Sequence, residues 1–230
     1  MKRNIILFTL ALLLFSCKKE ETVTVQFTVK STGKTPNGRN YAIDASKAKI
    51  FFSNFILSDT SGNETEVKDV FLYKTSDNNF RFAFPEGNFT SMKFAYGLDK
   101  TTNNSKPMSF PASSPLSVEE GMYWDMLKYR FSVIEASIDN SLAKDQAPNS
   151  PFSMHLGSDT LYTEINVSSL PYNGSTLNIE LDMDKLFVLD SDPFQIINFS
   201  NHSEPSEIAR AISIKNAFVN GIKTSVSADK

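Results

Sequence analysis

Side chains able to hold a metal, relay a proton or carry a covalent group are scarce in this 230-residue chain. There are two histidines, His155 and His202, one cysteine, Cys17, and one tryptophan, Trp124. A lone cysteine forbids an internal disulfide, a thiolate zinc cluster and a CxxC redox pair. Two imidazoles leave little room for a His-rich metal site, and each alone reads first as a hydrogen-bonded structural histidine. A Ser-His-Asp relay would have to use one of the same two, and no nucleophile elbow or phosphate-cradling glycine loop accompanies them. Asp182, Asp184, Asp190 and Asp192 stand at alternate spacing near a strand end. They could ligate Ca²⁺ or act as a glycosidase pair, but no glycine-turn ligand loop goes with them. Solvation is the plainer reading there and at Glu119-Glu120. An enzyme is not indicated. The net charge of −3, with no basic run beyond Lys18-Lys19, argues against nucleic acid as a partner.

The densest grouping of interesting residues lies mid-chain. Gly121-Met122-Tyr123-Trp124 leads to Tyr129-Arg130-Phe131 and Glu135-Ala136. Met154-His155-Leu156-Gly157 closes the loop that follows, and Asn201-His202-Ser203 precedes a helix. On residue type alone, the aromatics are core side chains at the start of a strand.

The elements that must position these residues are mostly strands. Residues 22–30 read TVTVQFTVK, with Val23, Val25, Phe27 and Val29 on one side, a half-buried strand of period two. Similar runs recur at 49–58, 67–73, 79–84, 89–96, 129–138, 161–167 and 176–182. Turn residues such as Thr60-Ser61-Gly62-Asn63, Pro85-Glu86-Gly87-Asn88 and Tyr172-Asn173-Gly174 separate them. The pattern predicts an all-β fold, an antiparallel β-sandwich with long loops at 101–121 and 143–151. One helix is expected toward the C-terminus: Pro205-Ser206-Glu207 starts it, and Ile208, Ala211, Ile212 and Phe218 recur at helical spacing. No internal repeat or boundary divides residues 22–230, so a single domain is expected.

The N-terminus points to export. Lys2 and Arg3 precede an apolar run from Ile5 to Phe15, too short to span a bilayer comfortably and typical of a secretory signal. Leu14-Phe15-Ser16-Cys17 looks like a bacterial lipobox, with residues 1–16 removed and lipid on Cys17. Removing Lys2 and Arg3 and no acid leaves 21 basic against 26 acidic residues, net −5, and 17 of the 19 Phe. Acyl chains then anchor the chain to the membrane, at about 0.8 kcal/mol per buried CH₂. In the tether 17–21, Lys19-Glu20-Glu21 resembles the export signal of Bacteroidetes surface lipoproteins; a plain solvated linker is the alternative. An outer-membrane protein facing the periplasm or the cell surface is expected.

An ordered series of motifs carries a family resemblance. Phe51-Phe52-Ser53-Asn54-Phe55-Ile56-Leu57, with Asp59 and Gly62, resembles the YYxSNxxL strand of the MbnP family, periplasmic or surface proteins related to copper-repressible CorA. Phe84-Pro85-Glu86-Gly87-Asn88-Phe89-Thr90, Tyr96-Gly97-Leu98-Asp99, Asn103 and Asn104 follow in the family's order. Then come Gly121-Met122-Tyr123-Trp124, Tyr129, Phe131, Glu135 and His155-Leu156-Gly157. The likeness spans roughly residues 22–221, and its central stretch is the most specific.

The resemblance implies copper held by histidines and by a tryptophan oxidised to kynurenine through a di-haem peroxidase-like partner. Imidazole nitrogen suits copper in both common oxidation states. Carried over, Trp124 is the residue to be oxidised, His155 and His202 are the ligands, and Met122 or Tyr123 could complete the shell. Two departures stand out: no His occurs near Thr28 or Val29, where the family often has one, and Ala136 replaces a family glycine. Two expectations therefore remain open. One is a lipid-anchored, non-catalytic copper-binding protein; the other is a metal-free surface module for a glycan or protein on the same fold.

Overall fold

The computed structural model describes residues 22–77, 81–85, 87, 89–125, 128–168, 170, 175–187 and 205–228. The signal segment 1–16, Cys17, Lys19-Glu20-Glu21, Asp190, Asp192 and His202 lie outside the described residues.

In chain order the first six strands are β1 (Thr22–Lys30), β2 (Tyr41–Ile43), β3 (Lys49–Asp59), β4 (Glu64–Lys74), β5 (Arg81–Pro85) and β6 (Phe89–Tyr96). A one-turn helix α1 (Lys100–Asn103) precedes β7 (Tyr123–Trp124), β8 (Lys128–Tyr129), β9 (Ser132–Ile138), β10 (Ser150–Leu156), β11 (Thr163–Val167) and β12 (Ser175–Asp182). Helix α2 (Pro205–Gly221) and β13 (Lys223–Ala228) follow. One sheet runs β13-β12-β1-β5; the larger runs β10-β9-β3-β6-β11, with β2 on β9 and β4 on β3. β7 and β8 form a separate small hairpin.

The sandwich expected from period-two runs is present, with two differences of detail. β1 and β12 pair in parallel, from Thr24 opposite Thr176 to Lys30 opposite Asp182. A parallel pair needs a long connection, and here the whole large sheet intervenes between the two strands. β2, β10 and β13 lie outside the runs that the period-two pattern picks out. Pro151 sits within β10, tolerable because β10 is an edge strand. β13 is polar, Lys-Thr-Ser-Val-Ser-Ala, and is held by pairing with β12 rather than by an apolar face.

The abundance of Phe is explained between the sheets. The ring of Phe27 on β1 lies 5.1 Å from Phe71, 5.2 Å from Phe52, 6.0 Å from Tyr73, 6.3 Å from Phe55 and 6.5 Å from Phe94, centroid to centroid. Tilted and edge-on contacts at these spacings are the favourable ones for aromatic quadrupoles. β3 is buried on both faces: Ile50, Phe51, Phe52 and Ser53 are all fully covered. Phe52 turns toward β1, whereas Phe51 meets Tyr129 edge-on at 5.9 Å under the long loops. Helix α2 lays Ala211, Ile214 and Phe218 onto the core, Phe218 against Tyr96 at 6.0 Å, and so ties the β12 side to the β6–β11 side.

Inward positions of β1 differ sharply in cover, with Phe27 1% exposed and Val29 42% exposed. Phe27→Ala is expected to lower the unfolding free energy in urea by about 3–5 kcal/mol. Val29→Ala, two residues along the same strand face, should change it by no more than about 0.5 kcal/mol.

Candidate functional site

Period two sets the first half of the site. In β10, Phe152, Met154 and Leu156 face the core, so Ser153 and His155 face outward. β9 lies antiparallel beside it and puts Glu135 opposite Ser153 and Val133 opposite His155. His155 Nε2 lies 2.7 Å from Glu135 Oε1, and the Ser153 hydroxyl donates to the same oxygen at 2.9 Å. Ser153 Oγ is also 3.1 Å from His155 Nε2. These residue types suggest a Ser-His-acid relay, but the geometry does not make one. A relay needs the nucleophile and the acid on opposite ring nitrogens, and here both meet Nε2. What the arrangement does is orient the imidazole.

The second half of the site is the β7–β8 hairpin. Gly121 ends the 3₁₀ turn Val118–Glu120 in the left-handed region, at φ 63°, which a side chain would disfavour. The turn itself is anchored. Glu120 accepts from Lys74 Nζ at 2.7 Å, and Lys49 Nζ reaches both its carboxylate and its backbone carbonyl. Burial raises the Glu120 pKa, but the two lysines outweigh it and hold the carboxyl below its usual range. Solvation, the sequence reading for Glu119-Glu120, does not describe Glu120.

Beyond Gly121 the candidate donors separate. Met122 is 1% exposed and packs in the core, so its thioether is not presented to a surface ion. Tyr123 is half-buried, its ring edge-on to Tyr129 at 5.1 Å and its hydroxyl 3.3 Å from Lys106 Nζ. Trp124 stands out at the hairpin's end, paired with Lys128 and 37% exposed.

Residues between the two halves join them. Arg130 donates from its backbone to Met122 O at 2.8 Å and from its guanidinium to Gly121 O. Burial pulls the Arg130 pKa down, and the negative charge of Glu135 opposes that shift. Gly157, just after β10, lies so close to this segment that a Cβ would stand 2.5 Å from Tyr129 O. Asn103 accepts from Tyr129 N at 3.1 Å and donates to Asp159 at 2.7 Å. Ser153 carries this geometry without having been singled out from sequence, and Arg130 was named only within the Tyr129-Arg130-Phe131 run, with no role. Alternation over residues 152–156 was the available signal for Ser153.

The remaining sequence candidates resolve as follows. Asp182 pairs with Lys30 at 3.2 Å, and Asp184 accepts from Thr32 N, the Thr32 hydroxyl and the Tyr41 hydroxyl. Both are ties between β12, β1 and β2 rather than solvated acids. Cys17 and His202 lie outside the described residues. Among the described residues, no group of three or more His, Cys, Asp or Glu is placed to hold a metal ion. They supply one oriented imidazole, on His155, and one accessible indole, on Trp124.

Comparison with known proteins agrees with the motif order. The MbnP family model matches residues 19–209. The solved structure of MbnP from Methylosinus trichosporium superposes with a TM-score of 0.52 at 18% identity, covering 74% of this chain and 78% of that one. At that identity the likeness speaks for the fold. No curated protein gives a significant match.

Two measurements check how the site is held. Gly157→Ala should force Tyr129-Arg130 away and cost about 1–3 kcal/mol in urea, with a shift in Trp124 fluorescence. Glu120→Gln should cost about 1–2 kcal/mol at pH 7. Because folding depresses the Glu120 pKa, its contribution is complete above the unfolded value of about 4.3 and is lost as pH falls through the folded value. The gap between wild type and Glu120→Gln should therefore close between pH 4 and more acidic conditions.

Proposed function

This chain belongs to the MbnP family, and from that premise we propose that it is a non-catalytic, lipid-anchored binding protein that takes copper at His155. The observation that carries the reading is the 2.7 Å contact of His155 Nε2 with Glu135. A metal-ligating imidazole is commonly held by a carboxylate on its other nitrogen, which fixes the tautomer and raises ligand basicity. The donors fit copper in kind, though the described residues contribute only part of a set. His155 provides one nitrogen. His202 provides the second, and Trp124, opened to kynurenine by a di-haem peroxidase-like partner, provides an amine and a carbonyl. Met122 drops out because its thioether belongs to the core, and Tyr123 is engaged by Lys106. Bound copper would supply an electron-accepting or electron-donating centre; the protein's part is to present and orient nitrogen.

Lipid on Cys17 places the domain at a membrane surface. Residues 17–21 reach at most roughly 18 Å even when extended, so the sandwich sits close to the bilayer, outer-membrane bound on its periplasmic or external side. At Ser153-His155-Glu135 the hydroxyl and the carboxylate meet the same ring nitrogen, which orients the imidazole without building a proton relay.

Copper titration of the full chain tests the proposal. Stoichiometric binding is expected, abolished by His155→Ala and weakened about 10–100-fold by Glu135→Gln. Binding that ignores both substitutions, or no stoichiometric binding, overturns the copper reading and leaves the metal-free surface module. Intact mass of protein from its own organism reads Trp124 directly, since kynurenine means loss of one carbon and gain of one oxygen. An unmodified Trp124 removes it from the donor set.

A further inference from the structure

The inward face of β1 is not covered along its whole length. Val25 and Phe27 are 0% and 1% exposed, whereas Val29, the next residue on that face, is 42% exposed. The sheets therefore gape at this end, and a cleft of about 530 Å³ opens there. It is lined by the buried Phe27, Tyr73 and Met183, by the apolar Val29, Ile43 and Ala45, and by Thr28, Ser31 and Thr75. No lining side chain carries a charge.

The hydroxyls differ in what they already bind. Ser31 Oγ is 2.8 Å from the Tyr41 hydroxyl, and Thr75 donates to Ala45 O at 2.8 Å. Tyr73 is 3% exposed, and its ring packs on Phe27 and Phe71. Its hydroxyl makes no hydrogen bond to another described residue. The oxygen is not one of the buried polar atoms left without a partner, so it stays within reach of a molecule entering the cleft. Burial, with Asp77 nearby, pushes its pKa up to about 12, so it is a donor at neutral pH.

We propose that this cleft binds a small uncharged molecule with an apolar body and one hydrogen-bonding oxygen or nitrogen, the body resting on Phe27 and Met183 and the polar atom meeting the Tyr73 hydroxyl. The volume lies in the usual range for small-molecule sites, which combine apolar walls with a few polar groups. A charged ligand would lose hydration with nothing in the lining to offset it. A glycan is disfavoured because no Asn, Asp, Gln or Arg lines the cleft to meet its hydroxyls. Copper is disfavoured as well: the lining holds no imidazole or thiolate, so this site is separate from the one at His155.

The probe is 1-naphthol, an apolar body with one hydroxyl, titrated into the full chain and followed by calorimetry. Val29→Trp and Ala45→Trp each fill the cleft from an exposed lining position and leave the core intact. Partition of the probe into detergent or lipid is the same for every variant, so the difference between variants reports the cleft. Saturable one-to-one binding is expected for wild type and none for either Trp variant, with affinity about five- to tenfold weaker in Tyr73→Phe. Equal binding by wild type and both Trp variants, or no saturable binding at all, overturns the site. Unchanged affinity in Tyr73→Phe overturns the assignment of the hydroxyl.

Discussion

The rest of the fold hangs on the contact between β1 and the inner face of the large sheet, where Phe27 meets rings from β3, β4 and β6. β1 is the first strand described and its parallel neighbour β12 is among the last, so this contact closes the chain on itself. Neither sheet buries both of its faces alone. Packing one against the other removes apolar surface from water at about 25 cal/mol per Å². The cluster is made mostly of Phe because rings reach across the roughly 10 Å between sheets and pack edge-on without needing hydrogen-bond partners.

A second layer follows from that first one. With Phe52 committed to the β1 side, Phe51 must find cover on the opposite face of β3, and the loops between β6 and β9 provide it through Tyr129. Gly97, at φ 86°, lets the chain turn directly beneath the ring of Phe131, where a Cβ would collide with it. Ser53 donates to Gly97 O at 2.7 Å, and Asn54, itself left-handed at φ 53°, donates to the Tyr162 hydroxyl across a bulge in the β3–β6 register. Asn tolerates that backbone better than a β-branched residue would. The hairpin that carries Trp124 is thus positioned by core packing rather than by its own two-residue pairing.

Period-two alternation made the large strands legible, because their inward positions are Phe, Val, Ile and Met in sequence as they are in space. Among the longer strands it failed at β10 and β13. A proline and a short apolar set masked the first, and a wholly polar run masked the second; pairing with a neighbour decides both, and pairing leaves no local signature. The strand expected over 129–138 breaks at Arg130, whose backbone N–H bonds back to Met122 O, and the β9 ladder begins only at Ser132. At the site, residue type identified His155 and Trp124, but not that Met122 faces the core, nor that Arg130 bonds back to Gly121 and Met122. Those depend on which way a non-repetitive segment turns.

This division bears on what the motif likeness can carry. Ser53, Asn54, Gly97, Asp99, Asn103, Tyr129, Phe131 and Gly157 all serve backbone geometry or packing: Asp99 caps α1 through Thr101 and Thr102, and Asn103 and Gly157 fasten Tyr129. A chain matching at these positions is constrained to the same fold whatever it binds. Glu135, His155 and Trp124 are different, since each is at least partly exposed and none belongs to the buried core. They sit on a sheet face and a hairpin tip that the framework holds in place, so their chemistry can change without disturbing the sandwich. Fold and ligand are therefore separable in this architecture, and the donor set, not the motif order, decides whether copper is held.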